Sequence, residues 1–196
     1  TAPNAKIVVA MSQSMIRRLR HYSQDRFEYI MEDECFPAGT LVDGRPIETL
    51  RMADKVQCYD HNEQRIVTRK VTGVWRSSPE SMMRLHFASG KTSVCTKNHP
   101  WYVIRKEQPW YMQARFVEEG DKVLTENMQF DFVRRTESIE PSEDETWYGY
   151  CPDKYVYNIT VEEHHNYFAN GYLVHNCHHS PAATRTAIRN HFTGSK

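Results

Sequence analysis

The sequence predicts an all-β domain at 35–176, flanked at both ends by short segments of α/β character. Short runs alternate apolar and polar residues as half-buried strands do, namely KVQCYD, RIVTRKVTGVW, MMRLHF and KTSVCT. Turn-forming stretches separate these runs, namely DGRP, DHNE, SSPE and ASG. Many short strands joined by tight turns are typical of an all-β fold.

The flanking segments follow a different pattern. Residues 5–34 contain a β-branched run, a helical stretch and then FEYIMEDE, which predicts a buried strand ending in acids. After Cys177 the sequence predicts a helix that begins near Ser180 and Pro181. Within the β domain, 126–153 is acidic and predicted to be irregular, whereas KYVYNITV and NYFANGYLVHN predict two further strand regions and an Asn-Gly turn.

A short internal repeat predicts that the β domain consists of two related halves. ETLRMADKVQCYD and RFVEEGDKVLTEN share an Asp-Lys-Val step, which begins at Asp54 in the first and at Asp121 in the second. Each step follows an apolar residue, Leu50 or Val117. A duplicated β unit explains both features, and a chance tripeptide is the alternative.

Composition excludes several classes of protein. The 196 residues suffice for one ordinary domain and a small appendage, and 25 basic residues balance 25 acidic ones, so no overall charge points to a nucleic acid. No apolar run approaches the roughly 20 residues of a membrane span, and the N-terminal stretch lacks a signal peptide's charged start and apolar centre. We therefore expect a cytoplasmic protein, and we expect it to be a monomer without a cofactor.

The five cysteines are odd in number and include no CxxC pair, which argues against a secreted disulfide framework and leaves a thiol free for chemistry. The thiol of Cys35 can reach the carbonyl of Glu34 through a five-membered ring and convert the amide into a thioester. The shift is uphill for a planar amide, so the bond must be twisted or its oxyanion stabilised, and the leaving nitrogen protonated. Thr96 and His99, just before Pro100, can supply both functions.

A second set of reactive residues lies at the other end of the predicted β domain. Asn176 can close its side-chain amide on its own backbone carbonyl, which forms a succinimide and cuts the bond to Cys177. An amide nitrogen is a poor nucleophile, so neighbouring imidazoles such as His175 and His165 would serve as oxyanion donor, base or acid near neutral pH. Cys177 can accept the acyl group from Cys35 before this cleavage.

These motifs, in this order, resemble the intein family of the hedgehog/intein (Hint) superfamily over 35–176. CFPAGTLV resembles the opening block, GKTSVCTKNHPWYV the block with the Thr-x-x-His pair, and KYVYNITVEEHHNYFANGYLVHN followed by Cys the closing blocks. The resemblance implies a compact, pseudo-twofold, horseshoe-shaped β fold and single-turnover protein splicing. The short length implies a mini-intein without the homing endonuclease of larger relatives, which would have been inserted near 126–153.

The resemblance also assigns roles to individual residues. Cys35 is implied as the first nucleophile, Cys177 as the second and Asn176 as the cyclising residue, with ligation of Glu34 to Cys177 as the final step. The implied assisting residues are Thr96, His99, His165 and His175. At Asn158 the family usually has aspartate, and a carboxamide cannot transfer protons as a carboxylate can, which lowers the expected efficiency of thioester formation and of branching.

Removing 35–176 joins FEYIMEDE to CHHSPAATR. An apolar strand ending in Asp-Glu-x-His resembles the Walker B motif of superfamily 2 helicases, which implies Asp33 on the magnesium side and Glu34 as the residue that orients the attacking water. Residues 1–34 and 177–196 are therefore interpreted as pieces of a host helicase that binds ATP and nucleic acid. Because they contain no GxxxxGK[ST] loop, we expect this chain neither to hydrolyse ATP nor to unwind a duplex.

Other classes of function are the alternatives. A hedgehog-type autoprocessing domain does not need the sequence His175-Asn176-Cys177, and a cysteine protease needs a cleft for a separate substrate. A pure binding module predicts no mass change on incubation. The histidines near Cys177 lack the closed four-ligand spacing of a structural zinc site, so no metal site is expected. The remaining cysteines and the tryptophans are interpreted as packing residues, namely Cys58, Cys95, Cys151, Trp75, Trp101, Trp110 and Trp147.

Overall fold

Alternating sequences and tight turns give an all-β structure in the computed structural model, which describes residues 35–176. The elements predicted for 1–34 and 177–196 lie outside the described residues. The strands are β1 (Phe36–Pro37), β2 (Leu41–Val42), β3 (Arg45–Pro46), β4 (Lys55–Asp60), β5 (Arg65–Ser77), β6 (Met82–Phe87), β7 (Thr92–Thr96), β8 (Pro100–Arg105), β9 (Gln108–Gln113), β10 (Lys122–Leu124), β11 (Phe130–Ile139), β12 (Val156–Val161), β13 (Asn166–Ala169) and β14 (Tyr172–His175). Two short 3-10 helices, Ile47–Thr49 and Ala114–Phe116, interrupt them. The predicted fold class is confirmed.

The strands form two main sheets and a small hairpin. The four-stranded sheet has the order β1-β12-β5-β4, and β2 pairs with β3 in the hairpin. The eight-stranded sheet has the order β13-β14-β8-β10-β11-β6-β7, with β9 paired to β8. Most neighbours along the chain are antiparallel hairpins, as the tight turns predict. The first and last strands of the domain, β1 and β14, lie in different sheets.

Three hairpins use two-residue turns with left-handed backbone at both positions. Their φ angles are 50° and 74° at Asp43-Gly44, 50° and 60° at Lys106-Glu107, and 51° and 82° at Asn170-Gly171. Turns of this type match the right-handed twist of the strands they join. The predicted Asn-Gly turn between β13 and β14 is confirmed.

The two predicted halves repeat the same local structure. Ile47–Thr49 and Ala114–Phe116 are both single 3-10 turns, and each is closed by an apolar residue whose backbone N–H donates to the first carbonyl of the turn. These apolar residues are Leu50 and Val117, with N···O distances of 3.2 and 3.1 Å. Both are almost fully buried, at 1% and 2% exposed.

The repeated aspartates have matching partners as well. Asp54 and Asp121 each accept the backbone N–H of the residue three positions earlier, at 2.8 Å in both cases. Each also binds an arginine from an upstream strand, Arg45 at 2.8 Å and Arg105 at 2.7 Å. In both halves the next residue, a lysine, begins a strand, β4 or β10. Such detailed agreement favours duplication over a chance tripeptide.

The prediction that 126–153 is irregular is wrong for ten of its residues, because β11 runs from Phe130 to Ile139. This strand pairs with β6 and β10. Its buried positions include Asp131, and its neighbours Phe130 and Phe132 are half exposed, so the usual apolar-in pattern is inverted at its start. A register shift between Val133 and the residues after it then breaks the alternation.

Most of the residues interpreted as packing residues are buried. Trp101 and the three cysteines are fully buried, and Trp147 is 5% exposed. Trp110 differs, because it lies on the outer face of β9 with 57% of its surface exposed. Within residues 35–176, no helix has the length and apolarity needed to cross a membrane.

Candidate functional site

Strand β12 approaches both ends of the β domain. Phe36 pairs with Tyr157 in antiparallel register, so Cys35, the residue before Phe36, falls opposite the next residue of β12. At the far end of β12, the carbonyl of Val161 accepts the side-chain N–H of Asn176 at 3.3 Å. At about 3.3 Å per residue along a strand, the two contacts are on the order of 10 Å apart. Residues separated by most of the sequence therefore converge on one strand.

Thr96 clamps the backbone of Cys35 with two hydrogen bonds. The backbone N–H of Cys35 donates to the Thr96 hydroxyl at 2.9 Å, and the backbone N–H of Thr96 donates to the Cys35 carbonyl at 2.9 Å. Both residues are buried, with Cys35 2% exposed and Thr96 fully enclosed. The clamped nitrogen belongs to the peptide bond between Glu34 and Cys35, so this threonine holds the bond that the thiol would attack.

His99 lies in the turn after β7, close to Cys35, the first residue of the N-terminal junction of the domain. Its backbone N–H donates to the Thr96 carbonyl at 3.1 Å, which closes the turn, and its own carbonyl accepts the N–H of Ala114 at 2.9 Å. The imidazole is fully buried against Phe36, with 4.2 Å between ring centroids. The turn and the Phe36 ring thus fix an imidazole against the residue that follows Cys35.

The thiol of Cys35 lies in an apolar environment. Its sulfur is 3.8 Å from the Ser77 hydroxyl. The other buried members of its cluster are Met82, Val94, Ile139, Trp147, Cys151 and Val156. Because these side chains exclude water, an acyl group carried on this sulfur would be shielded from hydrolysis.

Asn158 lies on β12 between Tyr157, which pairs with Phe36, and Val161, which accepts the Asn176 side chain. It is 1% exposed. Its side-chain oxygen accepts the Tyr167 hydroxyl at 3.0 Å and the backbone N–H of Ile159 at 2.8 Å. These two donors fix the orientation of the carboxamide. The register of β1 and β12 places Asn158 opposite Cys35, on the adjacent strand.

Asn176 is fully buried immediately after β14. Its backbone N–H donates to the carbonyl of His165 at 2.9 Å. No hydrogen bond within residues 35–176 engages its side-chain oxygen, whereas the side-chain nitrogen donates to Val161. His165 is exposed and has a left-handed backbone, with φ of 53°. The contact between these two predicted site residues is therefore made by the His165 backbone.

His175 is held through its backbone and its ring. It pairs with Asn166 across the β13–β14 hairpin. Asn166 in turn accepts the backbone N–H of Tyr59 at 2.7 Å and donates to the Tyr59 carbonyl at 2.9 Å, which ties this hairpin to β4. The His175 ring meets the Tyr111 ring edge-on, with 4.6 Å between centroids and 73° between planes.

Sequence reasoning missed four residues that contact the predicted ones, namely Phe36, Ser77, Tyr111 and Tyr167. Phe36 and Tyr167 lie within the quoted sequence blocks, and alternation along their strands could have identified them as buried partners. Ser77 and Tyr111 carry no comparable signal, because their sequence separations from Cys35 and His175 are large and no motif contains them. Asp33, Glu34 and Cys177 lie outside the described residues.

Among the described residues, no group of three or more His, Cys, Asp or Glu side chains is arranged to hold a metal ion. His164 lies 3.9 Å from one carboxylate oxygen of Asp60 and 3.9 Å from one of Glu163. Backbone hydrogen bonds, first from Glu63 and then from Asn62, keep the pKa of Asp60 below its ordinary value although partial burial opposes them. Asp60 therefore stays ionised near neutral pH.

The fold is that of known intein structures. A bacterial intein-like domain from Clostridium thermocellum matches with a TM-score of 0.62 and 24% identity, covering 74% of this chain and 100% of its own. The Ssp DnaB mini-intein variant M86 matches at 0.62 and 14%, covering 77% and 99%. A DnaB intein from Synechocystis sp. PCC 6803 matches at 0.60 and 16%, covering 73% and 98%.

Sequence comparison adds the family. No curated protein matches the chain. The family described as "Intein splicing domain" matches residues 30–176, which is most of the chain. That range contains the clamped Cys35 and the buried Asn176. The chain belongs to the intein splicing domain family, and its activity is autocatalytic protein splicing.

Proposed function

We propose that residues 35–176 excise themselves and join Glu34 to Cys177 in a single turnover on their own chain, as a cis-splicing mini-intein without an endonuclease. The observation that carries this proposal is the convergence of both domain ends on β12, at Phe36–Tyr157 and at Asn176–Val161. Chemistry within one molecule needs its reacting groups held close together. No cofactor takes part, and the acting species is a cytoplasmic monomer.

The first step is an N-to-S acyl shift. The Cys35 sulfur attacks the Glu34 carbonyl carbon, a carbon–sulfur bond forms, the carbon–nitrogen bond breaks, and the thiol proton ends on the freed amine. The Thr96 clamp supports this step because it holds the departing nitrogen in place while the carbonyl moves. His99, fixed by Phe36 beside the junction, is the proton carrier for that nitrogen.

Transfer and cyclisation follow. The thiol of Cys177 takes the acyl group from the Cys35 sulfur, which regains its proton. The Asn176 side-chain nitrogen then attacks its own backbone carbonyl, which closes the succinimide and releases Cys177 as an amine. His175 and His165 assist this cleavage, in agreement with their places on either side of the hairpin that ends at Asn176. A sulfur-to-nitrogen shift finally gives a normal peptide bond.

Asn158 limits the first steps. Its carboxamide accepts the Tyr167 hydroxyl but has no proton to exchange at neutral pH. A carboxylate at the same position would have been able to carry a proton between the two junctions. Slow splicing of this chain is the consequence that we expect.

Intact mass measured over time tests the proposal. We expect the precursor to disappear as two products form, the excised 35–176 with a C-terminal succinimide and the ligated 1–34/177–196. Fragmentation of the ligated product should read Glu34 directly followed by Cys177. Hydroxylamine should release 1–34 early, which reports the thioester. A precursor mass that stays constant with hydroxylamine and reductant present would overturn the proposal.

The ligated sequence supports a role in a host helicase. Joining the flanks gives Asp33-Glu34-Cys177-His178-His179 at the end of an apolar run, which resembles a Walker B motif. Splicing would then restore the catalytic glutamate to its motif in a protein that binds ATP and nucleic acid. The test is an ATPase assay on the complete host, which should gain activity in step with ligation and gain none when Cys35 and Asn176 are both replaced by alanine. This chain alone should hydrolyse no ATP.

A further inference from the structure

Five rings meet next to the C-terminal end of the domain, and we call them the ring cluster: Tyr59, His61, Tyr102, Tyr111 and His175. His61 lies 5.0 Å from both Tyr59 and Tyr102, measured between centroids. Tyr111 lies 5.3 Å from Tyr102 and 4.6 Å from His175. Of these five residues, only His175 was predicted as a site residue from the motifs. The cluster therefore links β4, β8 and β9 to the last residue of β14.

Tyr111 is held at three points. Its backbone is in register with Tyr102 in the β8–β9 hairpin. Its hydroxyl is hydrogen-bonded to Nε2 of His61 at 2.8 Å. Its ring packs on Tyr102, so the Tyr111 ring that meets His175 has little freedom to move.

His61 and Tyr111 are both uncharged at neutral pH, which suits a role in packing and not in proton transfer. Burial lowers the pKa of His61, although this ring is still partly open to solvent, and burial raises the pKa of Tyr111. At neutral pH both are therefore uncharged, and the hydrogen bond joins a phenol to a neutral imidazole. The Asn166 side chain is also hydrogen-bonded to the Tyr111 hydroxyl. Tyr111→Phe loses these hydrogen bonds but keeps the ring, and the residue as a whole is 37% exposed, so the variant should still fold.

We propose that Tyr111, braced by His61, is a positioning residue for His175 in the cyclisation of Asn176. This inference rests on the proposed function and deepens it at the C-terminal junction. The His175 backbone is fixed by its pairing with Asn166, and the Tyr111 ring restrains the plane of the imidazole against which it packs. A proton carrier with a fixed plane spends more of its time in a productive geometry. Tyr111 acts through the His175 ring.

The test isolates cyclisation in a Cys35→Ala background and follows C-terminal cleavage by mass. Tyr111→Leu should slow cleavage about tenfold or more, because loss of alignment by a fraction of an ångström has effects of this order. Tyr111→Phe and His61→Ala should each slow it a few-fold, and together no more than either alone. His61→Gln, which keeps a hydrogen-bonding group, should restore the rate. Trp110→Leu is the matched control, since Trp110 is the exposed neighbour on the same strand.

Two further measurements distinguish positioning of His175 by Tyr111 from a general effect of Tyr111 on folding. Thioester formation, measured as hydroxylamine-induced release of 1–34 in an Asn176→Ala background, should be unchanged by Tyr111→Phe and Tyr111→Leu. Nitrogen NMR of the His175 ring should show a changed environment in Tyr111→Phe, a variant expected to fold. The inference is overturned if Tyr111→Leu cleaves within twofold of the Trp110→Leu control, or if both junctions slow equally.

Failure of the proposed function has a different signature. If the Cys35→Ala parent with an intact ring cluster shows no C-terminal cleavage, and the Asn176→Ala parent shows no thioester, splicing itself is refuted and this inference falls with it. If both parents react and the variants at His61 and Tyr111 react equally well, only the positioning role is refuted.

Discussion

The two junctions of this domain are held in different ways. At the N-terminal junction, Cys35 is clamped through its backbone by Thr96 and its thiol is enclosed by apolar side chains. At the C-terminal junction, Asn176 is held by carbonyls of the chain and His175 by a partly exposed tyrosine. The first arrangement restrains a peptide bond and excludes water, whereas the second orients side chains. The difference suits the two reactions that we propose, because the first transfers an acyl group from a backbone bond and the second depends on the approach of a weak nucleophile.

The largest expected effect separates the junctions completely. Cys35→Ala removes the first nucleophile, so N-terminal cleavage and ligation should fall below detection, whereas Asn176 cyclisation should continue at a reduced rate. Mass spectrometry of the incubated protein should find 177–196 released and no separate 1–34. Ligated product from this variant would show that Cys35 is not the nucleophile.

Thr96→Ala should produce the next largest effect. The substitution leaves the buried N–H of Cys35 without its hydroxyl acceptor and frees the scissile bond. We expect thioester formation to slow by about 100-fold, the order seen when one positioned hydrogen-bonding group is lost from an active site. The rate of hydroxylamine release in an Asn176→Ala background measures this. Thr96→Ser keeps the hydroxyl and should recover most of the rate, and C-terminal cleavage in a Cys35→Ala background should hardly change.

Asn158→Asp should act in the opposite direction at the N-terminal junction. A carboxyl group at this position can exchange a proton, and the Tyr167 hydroxyl is already placed to donate to it. Thioester formation should accelerate by roughly tenfold, within the range of general acid–base effects. Asn158→Ala serves as the control for lost hydrogen bonds and should not accelerate. An Asp variant that is no faster than the parent would mean that the carboxamide does not limit the reaction.

The sequence predicted the elements that carry their own local pattern. The Asp-Lys-Val step predicted the two related halves because the aspartate side chain itself builds the turn that precedes the strand, at Asp54 and again at Asp121. The Asn170-Gly171 turn was predictable because left-handed backbone at two successive positions favours these residues. Strand β11 was not, since a buried aspartate and outward-facing phenylalanines invert the expected alternation.

The site was predictable only along the motifs. Thr96 and His99 share one motif, and the turn that joins them is local. The contacts of Tyr111 with His61 and His175 join residues that are 50 and 64 positions away, and they exist because β9 folds back on β8. Single-sequence patterns report which face of a strand is buried, and they do not report which strand lies opposite.

The smallest expected effect tests whether the junctions are independent of the rest of the domain. Asp131 is a buried carboxylate on β11 that accepts the hydroxyls of Ser89 at 2.5 Å and Tyr172 at 2.8 Å. Burial alone would raise the pKa of Asp131, but these bonds and a backbone N–H from Phe132 outweigh it, and the pKa is lowered. A lowered folded pKa means that the stabilisation is present above the unfolded pKa of about 3.9 and is lost as the pH falls through the folded value.

Asp131→Asn should therefore reduce the free energy of unfolding at pH 7 by about 1–3 kcal/mol, because charge-assisted hydrogen bonds are replaced by weaker or unmatched ones. Urea denaturation at pH 7 and at pH 3 measures this, and the difference from wild type should shrink at the lower pH. Glu119→Gln, at an exposed carboxylate, is the control and should change little. Because Asp131 contacts neither junction, the ratio between the rate of thioester formation and the rate of cleavage at Asn176 should not change. A change confined to one junction would mean that β11 transmits its state to that junction, and this junction would then depend on the rest of the domain.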